Sequence, residues 1–355
     1  MTALWTARPA TPAGRASCKP GLSIVAALSI TLMLAPGSPL RAQETFFGDW
    51  EFTFDNDNDT LLDSDRYYTN GIRLTALKTE DDRWFGWALG NETYTGALIS
   101  LPPEQIPPDD RPYAGWTYFS YFRGRLDEQD ASVVWEFSAG CMGPCSRAER
   151  FQKFWHNNVI DVPEALGWPL QIEEEIGLQV RRLREKPLRR WTAGDGTLLA
   201  DLGRTTAFRL GNIFTDASIG ITGRWRLGNM RGYFDGAGVG EMLPRRAVRR
   251  DSDRPRDWLD RVGGGWLFAD EAFVYGRIEG SVVARNSTIE GGIFNDKSPF
   301  TQDIRHAVIR TEIGIKFVWP RITFGMSWNS TSTDFASRSW ELNQHNWMSF
   351  YGEIH

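Results

Sequence analysis

Apolar and polar residues alternate along several segments of this chain, as they do in β-strands that have one apolar face. Residues 311–319, 217–227 and 172–181 follow this pattern, with polar or charged residues at most alternate positions. The alternation is clearest in residues 321–329, whose apolar face carries Ile322, Phe324, Met326 and Trp328. The pattern predicts an all-β protein.

The same alternation occurs in soluble sandwiches, where one strand face meets the core, and in membrane barrels, where it meets lipid. Two features favour a barrel. The apolar faces are long and often end in Trp or Tyr, and the polar faces carry charge deep in the strand, as a hydrated lumen allows. No apolar run after residue 42 is long enough for a membrane helix. We therefore expect an outer-membrane barrel.

About a dozen strand candidates can be counted, and an even number suits an antiparallel barrel whose first and last strands pair. They lie near residues 46–55, 67–78, 83–94, 113–125, 131–140, 171–184, 190–209, 213–228, 265–285, 305–318, 320–332 and 344–354. Long insertions occur at residues 95–112, 141–170, 229–262 and 286–304. The predicted fold is all-β: a 12-stranded antiparallel outer-membrane β-barrel with short helical segments between strands near 141–170.

The N-terminal segment has the pattern of a secretory signal peptide. Three basic residues precede an apolar run from Leu22 to Ala35, and Ala42 is a suitable cleavage point. The alternative is a membrane anchor, but the run is shorter than the roughly 20 apolar residues that span a bilayer. We expect residues 1–42 to be removed and residues 43–355 to form a single transmembrane barrel domain.

The charge of the mature chain limits its partners. Removing residues 1–42 takes away four basic residues and no acidic one, so the formal net charge moves from −5 to −9. An acidic chain argues against nucleic acid as a partner, and no obligatory protein partner is evident. Cys141 and Cys145 remain and can pair in an oxidising compartment. A zinc site is disfavoured, because no second Cys or His pair accompanies them.

An acidic turn follows the first predicted strand, with five aspartates from Asp55 to Asp65. Such a cluster needs screening by water or a cation, and hard oxygen ligands suit Ca²⁺. An EF-hand loop beginning at Asp55 is excluded, because its sixth position is Thr60 rather than Gly and its twelfth is Arg66 rather than an acid. The segment is either a solvated acidic turn or part of a cation site.

The insertion at 141–170 contains the residues best suited to chemistry. Gln152 and His156 are four positions apart, so they share one face if this segment is helical, and Trp155 can shield His156 from water. An imidazole can accept a proton at ambient pH. We interpret His156 as a general base on a short helix between two strands. The alternative is a surface histidine on an ordinary connection.

Several motifs occur together in a fixed order. They are Phe54–Asp57, Asp65–Gly71, Asp110–Trp116, Gly143-Pro144, Gln152 with His156, Gly167-Trp168 with Gln171, and Gly211-Asn212. The ordered set resembles the lipid A 3′-O-deacylase family of Gram-negative outer membranes, through motifs over residues 44–181 and through the strand pattern beyond them. Taken alone, the motif at 110–116 is better explained as a rigid turn with an interfacial aromatic residue.

The resemblance implies a Ca²⁺-dependent esterase that removes the 3′-linked acyloxyacyl group of lipid A, a lipopolysaccharide component, in the outer membrane of a Gram-negative bacterium. It implies His156 as the catalytic base with Gln152 beside it. From the same resemblance we expect Ca²⁺ to be held by Asn56, Asp57, Thr69 and Gly71. We expect the substrate to contact Asp65, Tyr68, Asn70 and Arg111.

Two features depart from the family pattern. Family members implicate a lysine in the loop before the Asp-Arg motif, whereas residues 101–110 contain neither Lys nor Arg. The role of that lysine is either absent here or supplied elsewhere, for example by Arg111. The chain given ends in His355 rather than in an aromatic residue.

Two other functions remain open from the sequence. One is a non-catalytic outer-membrane barrel used for structure or passage. The other is a barrel phospholipase that acts on glycerophospholipids, with a serine nucleophile, although no Gly-x-Ser-x-Gly motif is present. His306, His345 and His355 lie in or beside predicted strands, so we expect them to be far from His156.

Overall fold

The computed structural model describes residues 50–59, 62, 66–127, 131–160, 163–231, 269–319, 322–336 and 344–354. Several sequence predictions fall outside these described residues. They concern the signal peptide at 1–42, the substrate residue Asp65, His355, and most of the insertion at 229–262.

The described residues form twelve antiparallel β-strands that close into a barrel, as predicted. The strands are β1 (Trp50–Asn58), β2 (Tyr67–Glu80), β3 (Arg83–Thr95), β4 (Ala114–Leu126), β5 (Ser132–Met142), β6 (Glu175–Thr192), β7 (Leu198–Gly211), β8 (Phe214–Arg226), β9 (Glu271–Asn286), β10 (Ala307–Val318), β11 (Ile322–Ser332) and β12 (Gln344–Ile354). Each strand pairs with its neighbours along the chain. The barrel closes where β1 pairs with β12, with Asp57 opposite Ser349.

Short helices occur between some of the strands. Helix α1 (Ala148–Trp155) lies between β5 and β6 and continues into a π-helical turn, His156–Ile160. This confirms the helical segment predicted near 141–170. Helix α2 (Ser287–Glu290) follows β9. No helix in the described part of the chain is long and apolar enough to cross a membrane.

The boundary between β6 and β7 differs from the prediction. The sequence predicts strands at 171–184 and 190–209, whereas β6 continues to Thr192 and β7 begins at Leu198. Pro187 is a residue type that often ends a strand, but here it lies within β6. The pairing of β6 with β7 is irregular between Pro187 and Arg189. Such irregularities accommodate proline, because no ladder hydrogen bond is required there.

The two faces of the barrel wall have opposite character. On the outside, Ile313 is 62% exposed and Met326 is 38% exposed, whereas Glu312, Lys316 and Ser327 on the inner face are buried. This matches the lipid-facing positions predicted in 311–319 and 322–328. The lumen is filled by side chains, including ion pairs between Arg73 and Glu136 (2.8 Å), Arg209 and Asp216 (2.5 Å), Arg224 and Asp201, and Arg277 and Glu279.

The connections at the two ends of the barrel differ in length. Short turns join β2 to β3, β4 to β5, β6 to β7 and β10 to β11 at one end, where β1 begins and β12 finishes. The predicted insertions at 95–112, 141–170 and 286–304 lie at the other end. The β8–β9 connection is long but lies at the end with the short turns. The end with the long connections carries helix α1.

A lysine at a lipid-facing position should destabilise the barrel according to its depth. Ile313 lies near the middle of β10, so Ile313→Lys should lower the free energy of unfolding in a bilayer by about 2–4 kcal/mol. Ala307→Lys, at the end of the same strand, should cost about 1 kcal/mol or less. Denaturant unfolding from lipid vesicles measures both, and equal costs at the two positions would contradict this lipid face.

Candidate active site

The outward-facing residues of β1–β4 change from apolar to polar near the end with the long connections. Lower on the wall, Phe54, Leu74, Leu89 and Phe119 are cross-strand neighbours and are 42, 49, 52 and 52% exposed. Four positions further along the same face lie Asn58, Asn70 and Thr93, which are all buried. Polar groups cannot face hydrocarbon unpaired, so this patch must be covered from outside.

Helix α1 covers this polar patch. The helix packs on the outside of β3 and β4. Thr117 Oγ1 donates a hydrogen bond of 2.7 Å to Ser146 O, just before the helix. Gly115 permits the close approach, because a Cβ at this position would lie 2.3 Å from the Cβ of Ala148. The helix is therefore held directly against the wall.

The turn that leads into α1 is constrained covalently and by its backbone. Cys141 and Cys145 form a disulfide, the pairing that the sequence permits. Ser146 Oγ donates to Gly143 O at 2.6 Å within the same turn. Arg147, which directly precedes the helix, has a left-handed backbone with φ of 62°. These constraints set the direction in which the chain leaves the wall.

A small cavity lies between α1 and the barrel wall. It leaves about 10 Å³ for the centre of a water molecule, roughly what one buried water requires. It is lined by Asn58, Thr69 and Asn70 from the strands and by Phe151, Gln152, Trp155 and His156 from the helical segment. Four of these, Thr69, Asn70, Gln152 and His156, are residues that the sequence predicts for the site.

The tautomer of His156 is set by a backbone carbonyl. His156 is buried, and its Nδ1 lies 2.8 Å from Pro163 O. Because a carbonyl only accepts hydrogen bonds, Nδ1 carries the hydrogen and the lone pair is on Nε2. The ring can therefore take up a proton through Nε2. His156 also begins the π-helical turn, an irregularity that is frequent at functional sites.

Two amide side chains each bring an unpaired polar atom to the cavity. Trp168 Nε1 donates to Gln152 Oε1 at 2.9 Å, and because an indole only donates, this bond fixes which way the amide points. Gln152 Nε2 is then buried without a partner among the described residues. Asn70 Nδ2 donates to Asp57 O at 3.2 Å, and Asn70 Oδ1 is likewise buried with no partner in the described part of the chain. Such atoms are rare and costly, so both are candidate binding groups.

The predicted cation ligand Asp57 lies on the lumen side of the wall, opposite to the cavity. Along β1 the side chains alternate between the two faces, and Phe52 and Phe54 are exposed on the outer one. The Asp57 carboxylate accepts hydrogen bonds from Tyr68 Oη and Ser349 Oγ, both of 2.7 Å. Since Ser349 belongs to β12, this carboxylate fastens the seam at which the barrel closes.

The other three predicted cation ligands do not converge as an oxygen cluster. Asn56 directs its amide nitrogen at Gly71 O, 3.2 Å away. Thr69 lines the cavity, but its hydroxyl donates to Thr93 O at 3.3 Å. Within the described ranges, no group of three His, Cys, Asp or Glu side chains could hold a metal ion. A cation at the cavity would depend on neutral oxygens such as Asn70 Oδ1.

Two of the predicted substrate residues are engaged inside the barrel instead. Arg111 is 1% exposed, donates to Thr288 Oγ1 at 2.9 Å and lies 3.5 Å from an Asp334 carboxylate oxygen. Its guanidinium also stacks over Tyr94, so it joins loops at the barrel mouth and does not line the cavity. Tyr68 points to Asp57 in the lumen. The sequence could not show which side of the wall these residues face.

The turn before β4 is rigid, which fits the structural interpretation of the 110–116 motif. The Asp110 carboxylate accepts hydrogen bonds from the backbone nitrogens of Ala97 (2.9 and 3.0 Å) and Arg111 (2.7 Å). Burial raises the pKa of Asp110. Tyr113 packs edge-on against Trp168, with ring centroids 5.3 Å apart. The motif thus supports the indole that orients Gln152.

His345, which we expect to be far from His156, lies against the first hairpin and on the same face of β12 as Ser349, the lumen side of the wall. Its Nε2 lies 3.0 Å from Tyr68 O, next to the cavity residue Thr69, and its ring stacks on Trp347. The last strand reaches the first hairpin because β12 pairs with β1. His306, in contrast, is exposed and bonds to Val283 O on β9.

The sequence analysis missed three residues that shape the site. Asn58 lines the cavity, Trp168 orients Gln152, and Pro163 fixes the tautomer of His156. Asn58 lies two residues from Asn56 on the same face of β1. The two residues differ only in how far along the strand they lie, which the sequence pattern does not relate to the site. Trp168 was visible as part of the Gly167-Trp168 motif, but its partner was not.

The fold and the covered cavity define an outer-membrane barrel with a candidate site on its outer wall. Residues 24–351 match the family model described as outer membrane protein LpxR. The chain therefore belongs to the LpxR family, the lipid A 3′-O-deacylases that its motifs resemble, and it is an outer-membrane protein of a Gram-negative bacterium. No curated protein matches the sequence.

Among solved structures, LpxR from Salmonella typhimurium is similar with a TM-score of 0.68 at 15% identity, covering 86% of this chain and 99% of that chain. At this identity the match shows the fold. The β domain of the Bordetella autotransporter BrkA (TM-score 0.39, 8% identity, 86% and 97% coverage) is less similar. So is the Pseudomonas putida toluene transporter TodX (TM-score 0.34, 10% identity, 86% and 88% coverage).

The close packing of α1 on the wall can be tested at Gly115. Gly115→Ala should push the helix outward, since the new Cβ would overlap Ala148, and amide hydrogen exchange in 148–156 should become faster. Gly280→Ala on β9 is the matched control, because a Cβ there meets nothing within 4 Å. Unchanged exchange in Gly115→Ala would show that the helix is not held by this contact.

Proposed function

We propose that this protein is an outer-membrane esterase that removes the 3′-linked acyloxyacyl chain of lipid A, with His156 as the general base. The observation that carries the proposal is the cavity on the outer wall, where the basic Nε2 side of His156, an unpaired amide donor and an unpaired amide oxygen meet. Membership of the LpxR family supports the choice of lipid A.

The attacking group in this proposal is a water molecule in the cavity. Gln152 Nε2 is the unpaired donor that suits the water oxygen, and His156 Nε2 is the acceptor for one of its hydrogens. As the water oxygen adds to the ester carbonyl, Nε2 takes the proton. The same proton then passes to the departing sugar oxygen, giving a free carboxylic acid, a sugar hydroxyl and the starting histidine.

The position of the cavity suits a substrate that stays in the membrane. It lies above the exposed apolar row of Phe54, Leu74, Leu89 and Phe119, so acyl chains can remain in lipid while the ester reaches the wall. Because the cavity leaves about the space of one water, part of its lining must move when the ester binds.

We further propose that Ca²⁺ assists the reaction. The buried, unpartnered Asn70 Oδ1 fits a hard cation, and the buried carboxylate of Asp59 lies on the same hairpin, with Asp59 N bonded to Thr69 O at 3.4 Å. When bound, the cation would polarise the ester carbonyl and stabilise the oxyanion. In this proposal Asp57 does not bind the cation, because its carboxylate faces the lumen. It stabilises the seam at which the barrel closes.

Replacing the base should remove activity and leave the barrel intact. His156→Ala should lose roughly 10²–10⁴-fold in rate, the usual contribution of general-base catalysis, and activity should fall in acid because a protonated imidazole accepts no proton. Mass spectrometry of lipid A from cells expressing each variant measures deacylation, and heat-modifiable migration reports folding.

The matched control for this variant is His306→Ala, because His306 is exposed and bonds only to β9 among the described residues. It should keep full activity. A serine-directed inhibitor should have no effect, since none of the described residues that line the cavity is a serine. Near-normal deacylation by His156→Ala, or inhibition by the serine reagent, would favour a phospholipase or a non-catalytic barrel instead.

The proposed cation site predicts different effects for substitutions of Asp57 and Asp59. Activity should disappear in chelator and return with Ca²⁺. Asp59→Asn should raise the Ca²⁺ concentration needed for half-maximal activity, whereas Asp57→Asn should lower barrel stability and leave that concentration unchanged, since its partners are Tyr68 and Ser349. Full activity in chelator would rule out the cation, and a larger shift in Asp57→Asn would place it at Asp57.

A further inference from the structure

Helix α1 has a second face that points away from the barrel wall. Its wall side carries Ala148 and Gln152, which are buried. Arg147, Arg150 and Phe154 are exposed, with Phe154 58% exposed. Arg150 and Phe154 are four residues apart, so they share one face of the helix, and Arg147 directly precedes the helix. Two cations and an aromatic ring therefore project outward beside the cavity.

The described part of the chain provides no partner for the side chains of these two arginines. Among the described residues, neither the Arg147 nor the Arg150 side chain forms a hydrogen bond or an ion pair. Lys153 on the same helix differs, because it pairs with Glu149 at 2.9 Å, and this hydrogen bond raises the pKa of Lys153. Arg73 and Arg209 in the lumen also differ, because each is paired with a carboxylate.

The backbone of Arg147 adds a second observation. Its φ of 62° is left-handed, a conformation in which glycine is relaxed and a branched or long side chain is disfavoured. The disulfide between Cys141 and Cys145 and the turn at 143–146 hold it there. An arginine at a position that favours glycine points to a use for its side chain.

We propose that Arg147 and Arg150 bind a phosphate group on the headgroup of the lipid whose ester is cleaved, with Phe154 in contact with its acyl region. This inference rests on the proposed function. Arginine suits the role, because its planar fork binds phosphate through two hydrogen bonds and its stem can lie along apolar surface. Basic residues beside an exposed aromatic are typical of helices at a membrane interface.

The geometry gives these arginines a positioning function. They project from the helix that also carries Gln152 and His156, so a phosphate held by them fixes the headgroup relative to the base. Because they do not line the cavity, they should affect substrate binding and not the chemical step.

The test compares two forms of one substrate in neutral detergent micelles. The variant Arg147→Gln with Arg150→Gln should raise KM for phosphorylated lipid A on the order of tenfold, as expected for lost charge-assisted hydrogen bonds, with kcat little changed. For lipid A dephosphorylated by a phosphatase, KM should not change. Arg190→Gln is the control, since Arg190 is exposed at the opposite end of the barrel. An equal effect on both substrates, or none, overturns the proposal.

A binding measurement separates this inference from the proposed function. In a His156→Ala background, binding of phosphorylated lipid A micelles, followed by tryptophan fluorescence, should weaken when both arginines are replaced. If the wild-type protein cleaves no lipid A but still binds it through the two arginines, the proposed esterase function is rejected. The proposed phosphate-binding site is then supported. If phosphatidylglycerol competes as well as lipid A does, the arginines bind any anionic lipid surface, and the assignment to the substrate phosphate is wrong.

Discussion

The structure depends on one constraint: polar side chains on the outer wall of a barrel cannot be left facing lipid. The outer face of β1–β3 ends in Asn58, Asn70 and Thr93, directly above exposed apolar residues. Helix α1 resolves this conflict by lying against the wall, and Gly115 allows it to come close enough. Between the helix and the wall, Gln152 Nε2 and Asn70 Oδ1 have no hydrogen-bond partner among the described residues. These two atoms are therefore available to bind a reacting group.

Two hydrogen bonds then determine the chemistry of the cavity, each to a partner that can only accept or only donate. The Pro163 carbonyl can only accept, so it places the lone pair of His156 on Nε2. The Trp168 indole can only donate, so it turns the donor of Gln152 towards the remaining space. Neither partner touches the cavity itself. Their effect is to remove the orientational freedom that an imidazole and an amide otherwise keep, which is the preorganisation on which catalysis by a positioned water depends.

The sequence predicted the fold and part of the site, and the failures have a common physical origin. Alternation fixes which residues share a face, so the twelve strands and the helical insertion were predictable, as were Gln152 and His156. It does not fix which face is the outer one near the rim, where polar residues occur on both. Asp57 and Tyr68 were therefore expected at the same site as Asn70, although they lie across the wall from it. The pairing of β1 with β12 brings His345 to the first hairpin, and no local sequence pattern predicts this long-range contact.

The acidic hairpin therefore contributes different groups to the two sides of the wall. Inside, the Asp57 carboxylate holds Tyr68 and Ser349, which ties the first hairpin to the last strand where the barrel closes. Outside, Asn70 donates to the backbone carbonyl of that same Asp57. The position of Asn70 Oδ1 in the cavity therefore depends on the backbone of β1. Because Asn70 is bonded to the backbone of Asp57, a change of the Asp57 side chain keeps this contact and should act on the barrel seam, not on the outer cavity.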